Sequence, residues 1–162
     1  MAAYEKAGES NEWYTPRYLF DAMAVEFDID VAAAPSTLNK VPAKEFIFEG
    51  ALEKQWSGFV WMNPPFGHQS NKRRWLDKFF DHGNGVALTP DRTSAPWWQE
   101  AANRASAILF VAGKIKFIKP DGTIGESPGT GTTLFAKGVR GVAALATAQV
   151  NGLGHLMIGA RV

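Results

Sequence analysis

The sequence contains no cysteine. That excludes disulfide scaffolds, Cys-ligated zinc and iron–sulfur sites, and any mechanism built on a thiolate nucleophile. No apolar run is long enough to cross a bilayer, and the first residues, MAAYEKAGESNEW, are polar and carry acids, unlike a signal or transit peptide. The expectation is a soluble cytoplasmic protein with no membrane partner. No internal repeat and no low-complexity linker divides the chain. The histidines His68, His82 and His155 are scattered without metal-ligand spacing, and no Ser–His–Asp arrangement stands out, so no metal is expected. Net charge is small, at +1, but uneven: residues 1–60 hold 5 Lys/Arg against 10 Asp/Glu, and residues 61–162 hold 12 against 6. A basic second half suits a polyanion without demanding one.

What is present is a globular balance: 162 residues, 46% hydrophobic and 20% charged, enough for one domain with one well-buried core. Six tryptophans (Trp13, Trp56, Trp61, Trp75, Trp97, Trp98) stand out. Most serve packing, but a surplus of flat rings also suits a pocket for a base or nucleoside.

Residues 1–11 read as a flexible tail and 12–162 as a single compact domain. Thr15-Pro16 predicts a helix start, with Thr15 as N-cap and Pro16 at the first helical position, over about 16–25. Residues 27–32 alternate as a short strand, 33–43 read as a loop, and 45–48 as a second strand. Gly58–Met62 is a continuous apolar run that stops at Asn63-Pro64-Pro65, as expected of a central strand buried on both faces. Lys72–His82 predicts a helix closed by Gly83, with Trp75, Leu76, Phe79 and Phe80 as its apolar stripe. A strand over 85–88, a helix over 94–104 and a strand over 107–111 follow. Ile115–Ile118 and Thr132–Ala136 pair plausibly as a β-hairpin around the glycine-rich stretch 120–131. A small-residue helix (141–149) and a last strand (153–158) complete the chain. This alternation predicts an α/β fold, a three-layer sandwich whose mostly parallel twisted sheet carries helices on both faces, with a C-terminal β-hairpin.

The chemistry concentrates in Trp61-Met62-Asn63-Pro64-Pro65-Phe66-Gly67. A polar residue just past a buried strand lies at the carboxyl edge of the sheet, where ligands bind in open α/β folds. Two prolines remove two backbone donors and fix φ, so the carbonyls of Asn63 and Pro64 point outward as rigid acceptors. Phe66 adds a stacking platform. The set suits an exocyclic amine on a flat heterocycle: one hydrogen to the Asn63 side-chain oxygen, the other to the Pro64 carbonyl, the nitrogen lone pair left free to attack an electrophile.

With these residues in place the chain resembles the small phage-type DNA N6-adenine methyltransferases, the phage Dam family. Glu12-Trp13-Tyr14-Thr15-Pro16 resembles that family's opening Trp-Tyr-Thr-Pro. Phe27-Asp28-Ile29-Asp30-Val31-Ala32-Ala33-Ala34-Pro35 resembles its Phe-Asp-Leu-Asp-Pro-Cys-Ala segment. Trp56 and then Asn63-Pro64-Pro65-Phe66 resemble its Trp-spacer-Asn-Pro-Pro-Tyr segment, and Gly113–Phe117 with Thr133-Leu134-Phe135 resembles its Arg-x-x-Phe strands. The resemblance runs over about residues 12–138 and implies a Rossmann-like methyltransferase fold using S-adenosylmethionine.

The resemblance implies roles. Tyr14, Thr15 and Pro16 would approach the methionine carboxylate of the cofactor, Asp30 would meet its amino group, and Ala32 and Ala33 would leave it room. Asn63, Pro64, Pro65 and Phe66 would form the catalytic motif acting on an adenine flipped from double-stranded DNA. Apart from the resemblance, the residues themselves offer Lys72, Arg73 and Arg74 either as holders of phosphates beside a flipped base or as a solvated helix start, and Thr89, Pro90 and Asp91, ending the neighbouring strand, as lining of the base pocket. A phage-encoded member would act in the host cytoplasm. The absent cysteine gains meaning here: transfer to carbon 5 of cytosine needs a thiolate, so an exocyclic nitrogen is the remaining target. The chain departs from methyltransferase custom in having no glycine in Ala32-Ala33-Ala34-Pro35, and an acid for the cofactor ribose has no clear position, with Glu45, Glu49 and Glu53 as candidates. A separate target-recognition domain of usual size has no room. Two other readings stay open: a degenerate methyltransferase fold that binds nucleic acid or a partner, and an amino-methyltransferase acting on RNA or protein.

Overall fold

The computed structural model describes residues 13–65 and 69–159; the tail expected over 1–11 lies outside them. The elements, in chain order, are α1 (Arg17–Met23), β1 (Phe27–Asp30), β2 (Ala43–Phe46), β3 (Val60–Met62), α2 (Gln69–His82), β4 (Gly85–Pro90), α3 (Pro96–Arg104), β5 (Ala107–Val111), β6 (Thr132–Lys137), α4 (Val139–Val150) and β7 (Gly154–Ile158). Among the described residues seven strands form one sheet, in the order β2-β1-β3-β4-β6-β5-β7.

The sheet changes character at its middle. β2, β1, β3 and β4 pair in parallel, whereas β4–β6, β6–β5 and β5–β7 pair antiparallel. The expectation of a mostly parallel sheet is thus corrected to pairings divided evenly between the two kinds, although β6 and β7 alone run against the other strands. A parallel neighbour requires a crossover, usually helical. Residues 112–131, between β5 and β6, hold no helix, so β6 returns antiparallel and lies between β4 and β5.

The expected hairpin is also corrected. Thr132–Lys137 does not pair with Ile115–Ile118; it pairs with β4 on one side and β5 on the other. The reason lies in its composition, since five of its six residues are buried and such a strand needs both edges occupied. Ile115 and Phe117 insert into the core instead, and Ile118 bridges Tyr14 and Ile124.

Side chains alternate across the sheet with period two. Val86 and Leu88 of β4 face the core made with Leu19, Phe20 and Met23 of α1 and Ala144, Leu145 and Ala148 of α4. Ala87 faces the opposite core, made with Leu76, Phe79 and Phe80 of α2 and Trp97, Trp98 and Ala101 of α3. Gly141 lets α4 lie directly on β4: a Cβ there would sit 2.6 Å from the Gly85 carbonyl oxygen.

The start of α1 differs from the sequence expectation. Its N-cap is Pro16, extended at φ −68 and ψ 147, with no side-chain cap bond. Thr15 is one residue too early to cap, and its hydroxyl is engaged elsewhere. The helix closes at Ala24, which takes a left-handed conformation (φ 52) and donates its N–H to Phe20 and Asp21 carbonyls.

Trp61 anchors β3. It is 1% exposed and meets Phe20 edge-on, with ring centroids 4.9 Å apart, and Phe27 at 5.5 Å. Trp61→Ala is expected to destabilise the fold by about 3–5 kcal/mol through the cavity it leaves, read as a drop in the midpoint of denaturant unfolding.

Candidate active site

Three parallel strands end side by side. Asp30, the last residue of β1, pairs with Trp61 of β3. Met62, the last of β3, pairs with Ala87 of β4, and β4 runs on to Pro90. One sheet edge therefore carries Asp30, Asn63-Pro64-Pro65 and Thr89-Pro90-Asp91, at the carboxyl ends where open α/β sheets hold ligands.

Tyr14-Thr15-Pro16 comes to this edge as well. Tyr14 exchanges both backbone hydrogen bonds with Ile118, each 2.9 Å. Thr15, 5% exposed, accepts a hydrogen bond on Oγ1 from Asn63 Nδ2 at 3.0 Å. The opening motif and the Asn-Pro-Pro motif thus touch directly. The Asn63 carbonyl oxygen accepts no hydrogen bond among the described residues. Pro64 is buried and Pro65 exposed; Phe66 lies outside the described residues.

Asp30 is 3% exposed. Its Oδ1 accepts from the Ala32 N–H at 3.2 Å and its Oδ2 from Asn39 Nδ2 at 3.3 Å. Burial pushes its carboxyl up to about 6, against the opposing pull of those two bonds. Among the described residues no Lys or Arg pairs with it. A buried carboxylate with two donors and no cation fits an ammonium ligand. The residues of the site therefore fit the amino group of an amino-acid-bearing cofactor. Asn39 sits in what the sequence shows only as a loop, and nothing in the spacing singled it out.

The glycine-free segment after β1 raises no backbone obstacle. Ala24 is the one non-glycine residue with positive φ among the described residues, so Ala32-Ala33-Ala34 adopts conformations any residue can take. Ala33 is buried and donates its N–H to Ile47 O at 3.0 Å, and Ile47 donates to Asp30 O at 2.9 Å. These bonds hold the stretch after β2 beside Asp30, with exposed Glu49 two residues on. Glu53 instead pairs with Arg74, and Glu45 is exposed on β2.

At the end of β4, Thr89 is fully buried and its hydroxyl has no hydrogen-bond partner among the described residues. Asp91 Oδ1 accepts from Thr133 Oγ1 at 2.5 Å, and Thr133 Oγ1 accepts from Trp98 Nε1 at 3.2 Å. This relay from α3 through β6 fixes the carboxylate. The Asp91 N–H donates to Gly131 O at 3.0 Å, and Gly131 lies so close to Asp91 Oδ2 that a side chain at 131 would collide with it. The glycine-rich stretch is thereby tied to the site edge. Thr133 and Trp98 act through neighbours from distant elements, which sequence spacing does not reveal.

The three consecutive cations do not form one patch. Successive helical residues point about 100° apart. Lys72 is buried, its Nζ over the Trp97 ring at 5.4 Å from the centroid. Arg73 pairs with Glu100 at 3.1 Å, and Arg74 with Glu53 at 3.7 Å. Both arginine pairs are exposed, so each is worth little to stability. Among the described residues no group of three His, Cys, Asp or Glu is placed to hold a metal ion, and no helix is long and apolar enough to cross a membrane.

Compared with known proteins, the family model described as DNA N-6-adenine-methyltransferase (Dam) matches residues 4–135. The matched span contains Thr15, Asp30, Asn63, Thr89, Asp91 and Thr133. No curated protein and no solved structure matches the chain.

Proposed function

The chain belongs to the DNA N-6-adenine-methyltransferase (Dam) family, and from that premise we propose that it transfers a methyl group from S-adenosylmethionine directly to the exocyclic amine of an adenine flipped out of double-stranded DNA. The observation that carries the reading is the hydrogen bond between Asn63 and Thr15, because it sets the amine-accepting motif against the segment expected at the cofactor carboxylate. The paired helices on each sheet face fit the three-layer, Rossmann-like methyltransferase form.

In this reading Asp30 holds the cofactor amino group, while Tyr14, Thr15 and Pro16 line its carboxylate and Ala32 and Ala33 leave space for it. S-adenosylmethionine supplies, when bound, a methyl group on a sulfonium, which departs as a neutral thioether when the carbon–sulfur bond breaks. Asn63 Oδ1 and the Pro64 carbonyl accept the two amine hydrogens and turn the nitrogen lone pair toward that methyl. Pro65 stiffens the turn, and Phe66 stacks on the base. The proton released as the nitrogen–carbon bond forms passes to water. Thr89, Pro90 and Asp91 line the base pocket, where the unpartnered Thr89 hydroxyl is available to a ring nitrogen. Of the three cations after the motif, the exposed Arg73 and Arg74 are the ones left to meet the DNA backbone, while buried Lys72 packs on Trp97. Unstacking the adenine costs a few kcal/mol, which aromatic stacking of on the order of 1–3 kcal/mol per base offsets. Residues 12–162 act as a catalytic domain in the cytoplasm, with target contacts from residues 67–74 and 119–132.

The test is transfer of a tritiated methyl group from S-adenosylmethionine to DNA, RNA and protein offered separately. Label is expected in DNA alone. Label in RNA or protein would assign a different acceptor. Calorimetric binding of the cofactor with no transfer to any acceptor would leave a binding module.

A further inference from the structure

An Asn amide has one oxygen and one nitrogen on nearly equivalent branches, and only one of its two flip states serves an amine. With the oxygen outward, Asn63 accepts from the adenine amine; with the nitrogen outward, it presents a donor to a donor. A carboxylate at the same position would have no such problem, since both its oxygens accept. A chain that uses Asn therefore needs something behind the amide to choose its orientation.

Thr15 Oγ1 is the atom behind it. It accepts from Asn63 Nδ2 at 3.0 Å, and Thr15 is buried, so little water competes for the contact. A hydroxyl, however, can donate as well as accept, and alone would tolerate either flip state. Its direction is decided by where its own hydrogen goes. The helix-cap role that would occupy Thr15 is taken by Pro16, with no side-chain cap bond, which leaves the Thr15 O–H hydrogen available to a ligand. If a carboxylate takes that hydrogen, the oxygen lone pairs face Asn63 and only the amide nitrogen can approach.

We propose that Thr15 is a positioning residue that locks the Asn63 amide with its oxygen toward the target amine, and that the cofactor carboxylate enforces this by accepting the Thr15 hydroxyl hydrogen. The chain of bonds runs from carboxylate to Thr15 O–H and from Thr15 Oγ1 to Asn63 N–H, each link fixing the direction of the next. Cofactor binding thus prepares the amide before the base arrives. The inference rests on the assignment of the Thr15 segment to the cofactor carboxylate made above.

The test uses steady-state transfer to DNA at saturating cofactor with Thr15→Val and Thr15→Ser, each also in an Asn63→Asp background. Thr15→Val keeps the shape and loses the hydroxyl, and kcat is expected to fall on the order of ten- to a hundredfold, as for a misoriented catalytic group. Thr15→Ser keeps the hydroxyl and is expected to retain kcat. A residue needed only for packing would give the reverse order, since Ser loses the methyl and Val does not. In the Asn63→Asp background Thr15→Val is expected to lower kcat far less, because a carboxylate has no wrong face, while loss of the hydroxyl donor weakens S-adenosylmethionine binding, read by calorimetric titration, in both backgrounds. Equal kcat losses in both backgrounds, or a wild-type-like kcat in Thr15→Val, would overturn the proposal. Should Asn63→Asp itself be too slow to measure, the contrast between Val and Ser in kcat decides alone. A wild-type protein that binds no S-adenosylmethionine would instead overturn the reading beneath it.

Discussion

Asn63→Ala is expected to lower methyl transfer to DNA on the order of a hundred- to a thousandfold while leaving cofactor affinity within a few-fold of wild type. The substitution removes the side-chain acceptor assigned to the amine. It leaves β3 intact, because Val60, Trp61 and Met62 carry the buried packing. The Pro64 carbonyl remains, so one of two acceptors survives and the base still enters. The loss should therefore fall on kcat, since the amine is held without its second hydrogen bond and its lone pair is no longer aimed. Single-turnover transfer and calorimetric titration with S-adenosylmethionine, run on the same preparation, separate the two effects. An equal collapse of cofactor binding would mean that Asn63 serves the fold or the cofactor pocket instead.

The second large effect is expected at Asp30. Its folded pKa of about 6 lies above the ordinary 3.8, with burial as the main cause. Between about pH 4 and 6 the native chain then holds a proton that the unfolded chain has released. This group's contribution to stability is fullest below pH 4, falls as pH rises through 6, and is constant above. The span corresponds to at most about 3 kcal/mol. A cation bound beside the carboxylate reverses the preference, because it favours the ionised form. Cofactor affinity should accordingly weaken by about tenfold per unit as pH falls below 6.

Asp30→Asn removes the charge and is expected to cost on the order of a hundredfold in cofactor affinity. It should also remove this group's share of the pH dependence between 4 and 6, and gain only about 1 kcal/mol at pH 7.5, because the Asn39 amide loses an acceptor. Denaturant unfolding and calorimetry at pH 5, 6 and 7.5 check both parts. A variant that binds the cofactor as wild type does would remove Asp30 from the site.

The parts of this account that were legible in the sequence are those that depend on local pattern. The apolar run ending at Asn63 announced a buried strand with a polar tip, and the Phe27–Asp30 alternation announced its neighbour. Both lie where expected, with Asp30 opposite Trp61. Non-local choices were not legible. Thr132–Lys137 and Ile115–Ile118 have equal strand character, and only the demand of a strand buried on both faces sends the first between β4 and β5 and the second against Tyr14. Thr15 before a proline reads as a cap in any sequence, and its bond to Asn63 spans 48 residues. Asn39 and Thr133 act by orienting a carboxylate from another element, and no periodicity marks such a role. The run Lys72-Arg73-Arg74 looks like one patch on paper, yet helical geometry sends its members to Trp97, Glu100 and Glu53.

The central claim is that this edge methylates adenine in DNA at its exocyclic nitrogen. It is tested most directly by expressing the protein in a host that lacks DNA methylation, digesting the DNA to nucleosides and quantifying N6-methyladenine by mass spectrometry. The wild-type protein is expected to produce N6-methyladenine, and Asn63→Ala, expressed to the same level, to reduce it at least about a hundredfold. Unmodified adenine with the folded wild-type protein present, or equal methylation by Asn63→Ala, would contradict the account.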